Sequence, residues 1–128
     1  MDFDDYTQPL ENVIRSERKR RPDDLRVEDQ IELFKKWMAA NGSVVDEMER
    51  RAVEIDDSGR RVSARYLIER QRYEGASSIV PVSFVDDFGN EHLYSFPNGL
   101  SPLFARWLKS RHPGMNIVMS KSIFDKEL

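Results

Sequence analysis

The sequence predicts an α+β domain: three short helices, then a β-hairpin, a fourth helix and a short third strand. Two observations carry that prediction. From Val27 to Gln71 the apolar residues recur at helical spacing, and from Val80 onward they alternate with a period of two. The breaks between these runs are short clusters of Gly, Pro, Asn and Asp, which fits turns of a few residues inside one domain.

Val27, Ile31, Phe34, Trp37 and Met38 follow one another at steps of four, three, three and one, a single apolar stripe on a first helix that Asn41-Gly42 stops. Ser43, with Asp46 three residues on, resembles a capping box, and Val44, Val45, Met48, Ala52 and Ile55 form the inner face of the second helix. Asp57-Ser58-Gly59 turns the chain. A third helix starts after Ser63 and places Ala64, Leu67, Ile68 and Gln71 on one side, with Glu74-Gly75 as its end.

Val80, Val82 and Phe84 then alternate with Pro81 and Ser83. After the turn formers Asp86 to Asn90, the residues His92, Tyr94 and Phe96 resume, which predicts a hairpin. Pro81 has no amide to donate, so it marks an edge or a bulge. Ser101 and Pro102 suggest the cap and first turn of a fourth helix with Leu103, Phe104, Trp107 and Leu108 on its apolar side, closed by His112-Pro113-Gly114. Trp107 is expected in the core between this helix and the sheet. Asn116 to Ser120 reads as the third strand, with Ile123 and Phe124 packing back.

Residues 1–22 differ from the domain spanning 23–128. An acidic start, Asp2, Asp4 and Asp5, leads to the basic run Arg15 to Arg21, and Leu10, Val13 and Ile14 are too few to anchor the segment. It is expected to be a flexible charged arm. The start lacks the basic residues and apolar run of a secretory signal, and no stretch reaches the roughly 18 apolar residues of a membrane span, which suggests a cytoplasmic protein.

Composition excludes several chemistries. The 128 residues contain no Cys, which removes disulfides, thiolate metal sites and a cysteine nucleophile. Phosphate-binding Gly-rich loops, nucleophile elbows and His-Glu-x-x-His are missing from the sequence. Asp86, Asp87, Glu91 and His92 cluster at the hairpin turn without the ligand spacing of a calcium loop, so they read as a solvated turn. His112 reads as a helix C-terminal residue favourably placed against the dipole. An enzyme built on Glu91 and His92 would need a positioned acid-base pair, of which the spacing gives no sign. No catalytic residue, metal site or cofactor is therefore assigned.

Charge order is more informative than the net charge of -3. Residues 44–57 hold six acids and two arginines, whereas residues 60–75 hold Arg60, Arg61, Arg65, Arg70 and Arg72 against Glu69 and Glu74. From Asn98 to Phe124 there are Arg106, Lys109, Arg111 and Lys121 and no acid. Local positive potential of this kind suits a polyanion even on an acidic chain.

The stretch from Met48 to Tyr73 resembles a helix-turn-helix, with Ala52 in the first helix, Gly59 in the turn and an Arg-rich second helix after Val62-Ser63. The hairpin that follows stands where a winged-helix domain carries its wing, so the resemblance spans residues 48–96. It implies double-stranded DNA as partner, with Ser63, Ala64 and Arg65 meeting base edges or phosphates in the major groove. Arg60, Arg61, Arg70 and Arg72 would flank them, and Arg18, Lys19, Arg20 and Arg21 would follow as a basic arm. Seven residues separate Ala52 from Gly59, longer than the usual turn, and the acidic Asp86-Asp87 tip does not suit phosphate contact. A protein-binding adaptor or inhibitor of the kind encoded by phages and mobile elements is the alternative, with Trp37, Tyr66, Tyr73 and Trp107 as candidate anchors.

Overall fold

A computed structural model describes residues 25–126 of the chain. Its order is α1 (Val27–Ala40), α2 (Gly42–Asp57), α3 (Ala64–Glu74), a 3₁₀ turn (Ala76–Ser78), β1 (Val82–Val85), β2 (Glu91–Tyr94), α4 (Leu100–Arg111) and a second 3₁₀ turn (Ile123–Lys126). Among the described residues, four helices and one antiparallel hairpin make a small α+β fold of winged-helix-like arrangement. The expected arm at 1–22, with Arg18 to Arg21, lies outside the described residues.

The apolar stripes meet in one core. Leu33, Phe34 and Trp37 of α1, Val44, Val45, Met48 and Ala52 of α2, and Leu67 and Ile68 of α3 close on Leu100, Leu103, Phe104 and Leu108 of α4. α3 packs against both α2 and α4, and β1 packs on α1. Trp37 is fully buried, and its indole Nε1 donates to the Ser95 carbonyl at 2.7 Å, so its one polar atom is satisfied.

Asn41 does more than stop α1. Its buried amide donates to the carbonyls of Trp37 and Val80, both at 3.0 Å, and accepts from the Val80 amide at 2.7 Å. This clasp fixes the entry to the hairpin. It also replaces the expected Ser43 cap: α2 begins at Gly42, Ser43 is exposed, and the side chain at the helix start makes no capping bond. Ser63, by contrast, caps α3 as expected, its Oγ accepting from the Tyr66 amide at 3.1 Å.

The hairpin pairs Val82 with Tyr94 and Val85 with Glu91. Pairing begins after Pro81 and ends before Phe96, so Val80 and Phe96 lie outside the ladder. Gly89 turns the chain at φ +84°. Asp86 closes that turn from inside, where its Oδ1 accepts from the amides of Phe88 and Asn90, each at 2.9 Å, and its Oδ2 meets His92 Nε2 at 3.0 Å. The turn is where the sequence places it, but Asp86 is buried rather than solvated.

Four further expectations are corrected. α4 starts one residue before Ser101, because Leu100 is buried and draws the chain into the helix after Gly99. A Cβ at Gly99 would stand 3.0 Å from the ring of Phe124, so this start has no room for a side chain. The third strand shrinks to one parallel bridge between Val62 and Ile117, with Val62 donating to Asn116 and accepting from Val118 at 2.8 Å each. Val62 lies between a turn and a helix, and the ladder has no neighbouring residue to extend along. Trp107 is only half-buried, stacked on Phe104 at 5.4 Å with the Arg111 guanidinium 4.9 Å over its ring. Phe124 packs inward as expected, whereas Ile123 stays exposed.

No helix among the described residues is long and apolar enough to cross a membrane.

Candidate nucleic-acid interface

Burying Ala64, Leu67, Ile68 and Gln71 turns the other side of α3 outward, and this side carries the arginines. Their partners differ along the helix. Arg70 donates to Glu74 at 3.1 Å and to the Tyr66 hydroxyl at 3.3 Å. Glu74, and secondarily Tyr66, raise the Arg70 guanidinium above its ordinary value, and Arg70 in turn lowers the Glu74 carboxyl. Arg72 lies 3.6 Å from Glu69 and 4.5 Å over the ring of Phe96. At the start of the helix the pattern changes. Arg60 donates only to Ser58 Oγ at 3.0 Å, and Arg61 and Arg65 have no side-chain partner among the described residues.

Three shallow clefts meet at this end. Arg60, Arg61, Ser63, Tyr66 and Arg70 line one of about 340 Å³ beside Ile55. A second, about 350 Å³, lies between Arg65 and Arg72 and the Phe96–Pro102 segment. The third, about 420 Å³, runs from Ser63 and Arg65 across α4 to Arg106, Ser120, Lys121 and Ser122. Ser63 and Arg65 each belong to two of them. Among the described residues seven cations line the set (Arg60, Arg61, Arg65, Arg70, Arg72, Arg106, Lys121), and Glu69 is the one carboxylate that does. Three of the seven are already paired, Arg70 with Glu74, Arg72 with Glu69 and Arg106 with Asp125, so Arg60, Arg61, Arg65 and Lys121 carry the uncompensated positive charge of this surface.

No α2 carboxylate forms an ion pair with Arg60, Arg61 or Arg65 among the described residues. Glu49 accepts from Arg111 Nε at 2.8 Å and meets His112 Nε2 at 2.6 Å, which ties α2 to the end of α4. Arg111 foremost, and His112 after it, hold the Glu49 carboxyl below its usual range against the opposing effect of burial. Arg50 and Arg51 pair with Glu54 and Glu47 within α2, and Arg51 also approaches Glu74 at 3.7 Å.

The structure thus brings Arg60, Arg61, Ser63, Arg65, Arg70 and Arg72 onto one connected surface. Ala64, between Ser63 and Arg65, is largely buried but still lines the cleft that runs across α4. Among the aromatic anchors, Trp37 is interior and Trp107 half-covered, whereas Tyr66 and Tyr73 are exposed. At the wing tip Asp86 faces inward and Asp87 pairs with Arg26 at 2.9 Å, while Glu91 stays exposed. Its outer surface exposes the apolar Val85, Phe88 and Leu93, with Glu91 across the ladder from Val85.

Arg106 and Lys121 are the members that sequence reasoning did not assign. The acid-free run from Asn98 to Phe124 was the available signal, but only the tertiary fold sets it beside Arg65. Comparison with protein families, characterised proteins and solved structures finds no match to this chain.

Proposed function

We propose that this chain is a small cytoplasmic nucleic-acid-binding protein of winged-helix type that docks double-stranded DNA at the start of α3. One observation carries the reading: among the described residues, the connected clefts around Ser63 and Arg65 are lined by seven cations and a single carboxylate. Arg60, Arg61 and Arg65 are the principal phosphate ligands, because none of them forms an ion pair with a carboxylate among the described residues. Arg70 and Arg72 are held by Glu74 and Glu69 and contribute less. Such ligands position a protein on the duplex and make its affinity steeply dependent on salt.

The test is fluorescence anisotropy on a labelled duplex across a salt series. Arg60→Ala/Arg61→Ala/Arg65→Ala should weaken binding and flatten the log-log salt dependence by about 0.9 for each phosphate no longer neutralised. Equal affinities and slopes for variant and wild type, or no duplex binding at low salt, would discard the reading.

The exposed apolar residues of the wing favour a second reading, a protein-binding adaptor or inhibitor of phage or mobile-element type. Val85, Phe88 and Leu93 are each at least half-exposed on one hairpin, a surface with no use in phosphate contact.

A further inference from the structure

We infer that the cleft of about 420 Å³ between the start of α3 and the Ser120–Ser122 segment is a binding site for one phosphate group. It stands whether or not that phosphate belongs to DNA. Arg65, Arg106 and Lys121 bring three cations to the cleft, and no carboxylate among the described residues lines it. Arg65 and Lys121 have no ion-pair or hydrogen-bond partner among the described residues, so both are available to an anion. Ser101, Ser120 and Ser122 add hydroxyl donors around the same space. Cations and hydroxyls together suit a phosphoryl group, which takes several charge-assisted hydrogen bonds through its oxygens. The first turn of α3 opens here and adds the positive end of its dipole, but the cations carry the assignment.

Arg106 has a different task. Its Nε donates to Asp125 at 2.8 Å, its remaining nitrogens reach the carbonyls of Pro102 and Ser120, and Asp125 also accepts from the Ser122 amide at 3.1 Å. This network folds the segment back over α4 and keeps Lys121 on the cleft that Arg65 also lines. Arg106 is thus a positioning residue, already partly neutralised by Asp125. The volume, about 420 Å³, exceeds a bare phosphate and falls in the usual range for small-molecule sites. The cleft thus has room for a phosphate carried on a larger molecule, either a nucleic-acid backbone or a small phosphorylated compound.

The probe is inorganic phosphate, titrated into the full chain at constant ionic strength and followed by amide NMR, with chloride as control. Saturable shifts centred on Ser120, Lys121 and Ser122 are expected. Lys121→Gln should weaken binding by about fivefold, the equivalent of one solvated charge pair, and Arg65→Gln should do the same. Neither side chain is buried, so both variants should melt like wild type. A response no different from chloride, or unchanged affinity in the Arg65→Gln/Lys121→Gln double variant, overturns the site. Two competitors then identify the source. Displacement of phosphate by a short duplex assigns the cleft to a backbone phosphate, and displacement by a mononucleotide alone assigns it to a small molecule. Saturable phosphate binding in a chain with no duplex affinity sustains the site and removes only the DNA reading.

Discussion

The two ends of α3 carry the same side chain in opposite circumstances. Toward its C-terminus Arg70 and Arg72 have a glutamate one turn away, Glu74 at i+4 and Glu69 at i−3. Around its start Arg60, Arg61 and Arg65 face serine or solvent. Helical spacing alone does not set this difference: Glu69 stands four residues from Arg65 and three from Arg72, both within reach on a helix surface, and the fold turns it to Arg72 at 3.6 Å. An arginine count therefore overstates a binding face, and the neighbours one turn away have to be read with it.

The largest effect that could break the comparison comes from swapping which end is disabled. Arg60→Ala/Arg61→Ala should reduce duplex affinity by roughly tenfold or more, since two phosphate charges then go unneutralised. Arg70→Ala/Arg72→Ala should reduce it by about threefold or less, because those guanidiniums already face carboxylates. The two double variants, measured at one low salt concentration, should separate clearly. Equal reductions would show that the pairing within α3 opens on binding and that the ends are equivalent.

The α2–α4 clamp supplies the contrast in which opposite charges are fully engaged. Glu49→Gln loses the charge that Arg111 and His112 meet, and should destabilise the fold by about 1 kcal/mol after allowance for solvent screening, without moving duplex affinity. Chemical denaturation and anisotropy on the same variant check both halves. The pH dependence has a definite sign. The Glu49 carboxyl is lowered in the fold from an ordinary value of 4.5, so its contribution is fully present above that value and fades as pH falls through the lower folded one. Asp86, lowered first by the Asn90 amide and then by His92 and Phe88, acts in the same direction. Wild type should lose stability below about pH 4.5 more steeply than Glu49→Gln, a comparison that denaturation at several pH values reads directly.

Much of this fold is legible in the sequence where a strict period meets a specific cap. The stripe in α1, the inner face of α3 and the Ser63 cap follow from spacing and residue type, and the structure places them so. The parts that are not legible depend on distant partners. Asn41 looks like an ordinary helix stop, and only the arrival of Val80 reveals it as a buried clasp. Asn116 to Ser120 has the composition of a strand, but a strand needs a neighbour, and only Val62 is offered. Trp107 belongs to an apolar stripe, yet Arg111 covers one side of it in place of the sheet. At the site, Arg65 can be picked out from its helix position, whereas Lys121 beside it cannot, since the hairpin and α4 intervene in the sequence.

The smallest effect expected is also the one that sharpens the comparison furthest, because it converts one end of α3 into the other. Glu69→Gln/Glu74→Gln removes the two carboxylates and leaves every arginine in place. Both glutamates are exposed, so the double variant should melt close to wild type. Freed of Glu74, Arg70 keeps its bond to the Tyr66 hydroxyl, which holds it over the cleft shared with Arg60 and Arg61. Freed of Glu69, Arg72 remains over Phe96 beside the cleft shared with Arg65. Both guanidiniums are thus pre-positioned, and the double variant should bind duplex a few-fold more tightly, with a salt slope steeper by about one to two. The same change in a background of Arg60→Ala/Arg61→Ala should restore part of the missing affinity. If affinity and slope stay at wild-type values in both backgrounds, the carboxylates never restrained those arginines, and the difference between the ends of α3 lies in where they point rather than in what they pair with.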